Sequence, residues 1–341
     1  MSRFACLLIA LMLVLIAVTD MAVAKNQPPP KKRVVKGTTQ LKGDQAKFGL
    51  TYTLGKGNPI NVTLNSAEYT VAPVRFGNQV IPVNADEKML VLHYTLHNPN
   101  PRDFRLSWHT VEINAVDSND TNWRYVATTA VESTGEECNT NLKPGQKIKI
   151  YTAIKVPAKG EIPKVMFEQS QLVLRYDLLD KLNKVKPLSL PIADPNDPTG
   201  ATALEKVPAQ MGIFYPLRML EGRVDSATFI GGTINRRQPR KGNRFLVIAC
   251  TAKNNTPSNF GFRWSSFSPK LVDTDGSKLA WSDGDIYLAS RDDPPNAEIE
   301  PGQEFHFRFV YQVPTGATLQ TFSIRQSSTG REYAYDFSQV Q

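Results

Sequence analysis

The sequence predicts an all-β chain made of two tandem antiparallel sandwiches. Three observations carry that expectation. Apolar and polar residues alternate with a period of two, 24 Pro and 21 Gly punctuate the 341 residues, and the second half of the chain repeats the first. A period of two sends successive side chains to opposite faces of a strand, and turn residues at this density argue against a helical bundle.

The chain opens on a segment that reads as a leader. Arg3 is followed by an unbroken apolar run from Phe4 to Val18, and Ala22-Val23-Ala24 supplies small residues before Lys25. This is the pattern of a signal peptide over residues 1–24, so the protein is expected to be exported, to the periplasm or beyond the cell. Cys6 precedes most of the run, which argues against a lipid anchor. Beyond residue 24 no run approaches the roughly 18 apolar residues of a spanning helix.

Residues 25–57 form a basic, proline-containing segment. Within residues 25–47, Lys25, Lys31, Lys32, Arg33, Lys36, Lys42 and Lys47 stand against Asp44, a net +6 of the chain's +8. The remainder is close to neutral and carries no stripe suited to tracking phosphates, so nucleic acid is not an expected partner. The segment reads as a solvated arm that could touch anionic membrane or cell-wall polymer in a salt-sensitive way.

The repeat is explicit. Residues 88–101 (KMLVLHYTLHNPNP) match 244–257 (RFLVIACTAKNNTP), and the same offset of 156 pairs Trp108 with Trp264 and Val116-Asp117 with Val272-Asp273. Residues 144–157 (PGQKIKIYTAIKVP) match 301–314 (PGQEFHFRFVYQVP), and Ser66-Ala67 matches Ser226-Ala227. Both copies close on Tyr-Asp and an apolar residue, at Tyr176-Asp177-Leu178 and Tyr335-Asp336-Phe337. The expected domains are therefore residues 58–179 and 215–341, joined by a proline-rich linker at 180–214 with a short helical turn near Ala203 to Lys206.

Within each copy the strands show their faces. Phe305, Phe307, Phe309 and Tyr311 point one way and His306, Arg308 and Val310 the other, while Ile148, Ile150, Thr152 and Ile154 form the matching inward set. Leu90, Leu92, Tyr94 and Leu96 share a face with Met89 and Val91 opposite, the mark of a strand covered on both sides. Pro144-Gly145 and Pro301-Gly302 suit the middle of a type II turn, and Asp273-Thr274-Asp275-Gly276 suits a hairpin.

These motifs resemble the bacterial exported domains of unknown function with a telokin-like, immunoglobulin-like sandwich, a family that includes immunoprotective extracellular antigens. The resemblance rests on residues 88–118 with 142–157 and on 244–276 with 299–314. The first copy departs from it at Asn119-Asp120, where the second has Asp275-Gly276. It implies two tandem immunoglobulin-like antiparallel β-sandwiches and export. It implies no catalytic residues.

The residues themselves offer little chemistry. There is no Gly-x-Ser-x-Gly elbow, no His-Glu-x-x-His and no phosphate-cradling loop, so neither an enzyme nor a cofactor is expected. His93 and His97 share a strand face but lie about 13 Å apart in extended chain, too far for one ion. His93 could meet His109 across strands, but Ala249 and Ser265 stand at their places in the second copy. The Asp117 and Asp273 turns lack the Glu of a calcium loop, with Thr128 and Gly284 at its twelfth position. Cys138 and Cys250 sit in a polar segment and mid-strand, and are read as unbridged.

Aromatic stacking is the remaining prospect. Trp123 and Tyr125 share a strand face and match Leu279 and Trp281, which makes Trp123, Tyr125 and Trp281 the candidate ligand residues. Trp108 and Trp264 are read as filling the same gap twice. The expected function is non-enzymatic interaction with an envelope or extracellular protein or glycan. A carbohydrate- or cell-wall-binding module is the alternative, ahead of a hydrolase built on His93 or His109.

Overall fold

A computed structural model describes residues 43–279 and 286–340. The leader, the basic run up to residue 42 and Trp281 lie outside the described residues. The chain is all-β, and the main sheets of its two halves share one strand order, while the hairpin Val74–Phe76/Gln79–Ile81 is found in the first half alone among the described residues.

The first half contains β1 (Asp44–Ala46), β2 (Thr51–Leu54), β3 (Ile60–Thr70), β4 (Glu87–His97), β5 (Glu112–Val116), β6 (Asn122–Arg124), β7 (Ala130–Val131), β8 (Lys147–Pro157), β9 (Lys164–Gln169) and β10 (Leu172–Asp177). The second contains β11 (Lys206–Ala209), β12 (Tyr215–Leu217), β13 (Leu220–Ile230), β14 (Asn243–Asn254), β15 (Ser268–Asp273), β16 (Lys278–Leu279), β17 (Ile286–Leu288), β18 (Glu304–Pro314), β19 (Leu319–Arg325) and β20 (Glu332–Asp336). One sheet of the first sandwich runs β1-β10-β9-β5-β6, and its counterpart runs β11-β20-β19-β15-β16. The facing sheets run β7-β8-β4-β3 and β17-β18-β14-β13, with β2 and β12 pairing on the outer strand. Even the exception repeats: β1 pairs with β10, and β11 with β20, in parallel.

Irregularities fall at matched places. A bulge interrupts β3 between Leu64 and Ser66, and another interrupts β13 between Val224 and Ser226. Gly145 and Gly302 take positive φ of 77° and 79° inside turns closed by Gln146 N–H to Lys143 C=O and Gln303 N–H to Glu300 C=O. The departure at Asn119-Asp120 leaves the turn unchanged. Asp120 adopts φ 63° where Gly276 adopts 78°, and both amides donate to the carbonyl of the aspartate three residues before. Aspartate tolerates the left-handed region better than most residues, which is why the substitution is accepted.

The cores differ in content but compensate in volume. Tyr94 lies opposite Ile150 in the β4–β8 pair, and Cys250 lies opposite Phe307 in β14–β18. Leu96 faces Ile148, whereas Ala252 faces Phe305. Each swap trades a large residue on one strand for a large residue on its neighbour, the kind of change a packed interior accepts. The second core is consequently rich in rings, with Phe267 stacked on Phe307 at 5.5 Å.

Two expectations need correction. Part of the basic segment is inside the fold, because Asp44–Ala46 pairs with β10, Ala46 is buried, and Thr51–Leu54 pairs with β3. The linker has no helical turn at Ala203 to Lys206. Ala203 bridges to Ala193, and Lys206 begins β11. The linker is also docked along its length. Val185–Lys186 pairs with Ala67–Glu68, Leu188, Ala193, Ala201 and Ala203 are buried in the first core, and Ile192 touches both cores.

The halves are tied directly. Arg331, buried beside β20, donates to the carbonyls of Leu204, Ala85 and Glu87 at 2.5, 2.7 and 3.1 Å. Arg218 reaches Asn84 and Thr329, both at 2.9 Å, and the Ala85 amide donates to the Thr329 carbonyl.

Candidate functional site: the Trp108 and Trp264 turns

Between β4 and β5 the chain makes a short ribbon strand, Phe104–Leu106, and then a single 3-10 turn, Trp108–Thr110. The second half does the same with Phe260–Arg263 and Trp264–Ser266. Both turns are held alike. The Ser107 amide donates to Thr110 Oγ1 and the Arg263 amide to Ser266 Oγ, each at 2.9 Å. A one-turn helix cannot bury a side chain on both sides, and the indoles project outward. Trp108 is 43 % exposed and Trp264 42 %, and among the described residues they are the exposed large aromatics.

This reverses the expected roles of the aromatics. Trp108 and Trp264 do not fill a gap. Period-two reasoning assigns faces only inside strands, and both lie just beyond a strand end. Trp123, proposed for stacking, is half-buried on β6 against the first core, and its indole N–H donates to Asp117 Oδ2 at 3.0 Å. Burial alone would raise the Asp117 carboxyl, but hydrogen bonds from Trp123, Thr121 and Asn119 outweigh it and hold it below its ordinary value. Tyr125 packs beside the exposed ring instead. Its hydroxyl donates to the Trp108 carbonyl at 3.0 Å, and the ring centroids are 6.4 Å apart. Burial, with Glu112 nearby, pushes the Tyr125 phenol up to about 12, so it remains a donor at neutral pH.

Two grooves meet at this corner. One, of about 340 Å³, is lined by Arg105, Ser107, Trp108, His109, Glu137 and Asn139 above buried Cys138. The other, of about 350 Å³, runs from His109 past Glu112 and Glu168 to Ser170. In the first, Arg105 donates to Asn139 Oδ1 at 2.7 Å. Beside Trp264, Arg263 reaches Glu298 Oε1 at 3.3 Å and the Ala297 carbonyl at 3.1 Å. Arg105 is thus tethered just before the strand Thr140–Leu142, and Arg263 on the strand Asn296–Ile299.

The histidines do not assemble a reaction centre. His93 has Glu68 at 3.7 Å on one ring nitrogen and Glu132 at 3.4 Å on the other, an arrangement that cannot gather all three on one ion. His109 lies against Trp108 and close to Ser107 Oγ, which is 3.2 Å from one ring nitrogen and 3.3 Å from the other. A hydroxyl equidistant from both nitrogens lies on neither lone pair. No carboxylate bonds His109 among the described residues, so the orienting third member of a triad is absent there. No group of three or more His, Cys, Asp or Glu is placed to hold a metal among the described residues.

No protein-family model matches the chain, and no curated protein matches it. Solved structures do. An uncharacterised β-sandwich protein from Clostridium difficile 630 aligns at 12 % identity over 41 % of this chain and 97 % of its own, with a TM-score of 0.32. The secreted protein MPT63 from Mycobacterium tuberculosis aligns at 12 % identity over 40 % of this chain and 98 % of its own, with a TM-score of 0.30. The yjhA protein of Bacillus subtilis aligns at 18 % identity over 39 % and 98 %, with a TM-score of 0.27.

Proposed function

We propose that the chain is an exported, non-enzymatic binding protein. Its two immunoglobulin-like sandwiches each present a tryptophan-centred contact site to a macromolecule of the envelope or the exterior. The resemblance to the exported telokin-like domains and the leader-like residues 1–24 support export. The loose Ser107–His109 contact supports a binding role over a hydrolytic one.

One observation carries the reading. Core positions have drifted between the copies, Tyr94 becoming Cys250 and Leu96 becoming Ala252, yet an exposed tryptophan stands at the same turn in both. Packing explains a retained interior residue. It does not explain a retained residue that is 42–43 % open to water. Large exposed aromatics held on rigid turns are what contact sites use.

The test is retention of purified protein lacking residues 1–24 on washed cell envelopes. The parent is expected to be retained in high salt, and Trp108→Ala/Trp264→Ala to wash off with its melting temperature unchanged. Equal retention of the variant contradicts the proposal.

A further inference from the structure

We infer that the ligand is a polysaccharide, whose sugar rings stack on Trp108 and Trp264 and whose hydroxyls are taken by the polar side chains beside each indole. This rests on the binding role proposed above and names the partner class.

The surroundings of the tryptophans select a sugar. A pyranose offers an apolar face of C–H groups and a rim of hydroxyls, and it is recognised by a flat ring flanked by donors and acceptors. Trp108 has Arg105, Ser107, Glu137 and Asn139 around it in an open groove of about 340 Å³. Next to Trp264 in the chain, Arg263 bonds Glu298 on the neighbouring strand Asn296–Ile299. A protein-binding hot spot shares the Trp and the Arg but needs a pocket that packs closed around them. A lipid surface calls for a broad apolar face edged with lysines and arginines. Neither describes these corners, where each arginine is already bonded to an amide or a carboxylate.

The duplication selects a polymer. Arg331 and Arg218 lock the sandwiches together through Ala85, Glu87, Asn84 and Thr329, so the two corners keep a fixed separation. Two like sites at fixed spacing gain affinity for a ligand that repeats, because the second contact then forms within the same complex. A glycan chain repeats the same ring face along its length.

Co-sedimentation of the full chain with peptidoglycan sacculi and with crystalline chitin tests the inference, and anionic phospholipid vesicles serve as the comparison. In salt high enough to release the basic N-terminal segment, the parent should pellet with at least one polysaccharide and not with vesicles. Trp108→Ala and Trp264→Ala should each weaken binding roughly ten-fold and the double variant roughly a hundred-fold or more, in line with loss of a bivalent contact. Trp108→Phe should recover part of the loss, since it restores a stacking ring. The inference is overturned if neither polysaccharide pellets the parent, if the double variant pellets equally, or if vesicles alone pellet it. Tryptophan-dependent retention on envelopes that survives enzymatic digestion of their glycan also overturns it, and leaves the binding role itself standing.

Discussion

Asn98 and Asn254, one at the end of each central strand, make the same hydrogen bonds. Asn98 Nδ2 donates to the Arg102 and Leu142 carbonyls, and Asn254 Nδ2 to those of Ser258 and Ile299, all four at 2.8 Å. Each side-chain oxygen accepts the amide two residues on, at 2.9 Å. Both residues are fully buried, and each joins the strand end to the Pro-Gly corner opposite. Replacing either by Ala leaves a buried carbonyl, that of Leu142 or Ile299, without its donor, and the turn amide without its acceptor. Asn98→Ala and Asn254→Ala should each cost about 2–4 kcal/mol by denaturant unfolding. A cost near zero at either site denies that the two corners are built alike.

Arg331 is the tie whose loss should be felt between the halves. It is buried and satisfies three carbonyls from the linker and the first sandwich. Arg331→Ala leaves those acceptors unmatched, at about 2–4 kcal/mol. Calorimetry should show one transition for the parent and two for the variant, since each sandwich has its own core. A single transition in the variant places the coupling elsewhere.

Lys88 makes stability depend on alkaline pH. Its ammonium is buried, lies 4.5 Å from the Tyr69 ring centroid and donates to the carbonyls of Ala158, Gly160 and Ala201. Burial pushes it down from 10.5 to about 8, with Asp197 and Glu161 opposing. Between those values the unfolded chain holds a proton that the folded chain has lost, so this group makes stability rise with pH. Below about 8 the cost of burying its charge is present in full. The stability of the parent relative to Lys88→Met should therefore climb by up to about 3 kcal/mol from pH 8 to 10.5. Comparing the two proteins cancels the buried tyrosines, whose raised values lower stability above pH 10 in both. A flat difference shows that Lys88 keeps its proton throughout.

Cys138 and Cys250 are free and buried. Burial pushes the Cys138 thiol up to about 11 and the Cys250 thiol well above its ordinary value. Thiolates attack and thiols do not. A disulfide reagent at pH 8 should label neither in the folded protein and both in denaturant. Labelling at Cys138 without denaturant means that the Trp108 groove opens to it.

Much of the fold was legible because the chain states it twice. Alternation located the long strands, and Phe307 with Phe309 is buried as the period requires. The short strands β1 and β2 carry no readable period, and their pairing with β10 and β3 comes from the far end of the sandwich, so they looked like tail. The helical turn expected near Ala203 fails for the same reason, since the linker's order comes from docking and not from local pattern. The site was the least legible part. Trp108 and Trp264 lie in turns, where a side chain's face depends on the turn's geometry. Their presence in both copies is visible in the sequence, where it points to the filling of one gap twice, and only the turn geometry shows them exposed.

Fluorine NMR of the protein labelled with 5-fluorotryptophan tests the central claim most directly, because the solvent-isotope shift of each indole reports its contact with water. Resonances assigned through Trp108→Phe and Trp264→Phe should show equal shifts between H2O and D2O, both larger than that of Trp123, whose indole is half-buried and bonded to Asp117. A small shift for either one means that it is buried and that the two corners are not equivalent surfaces.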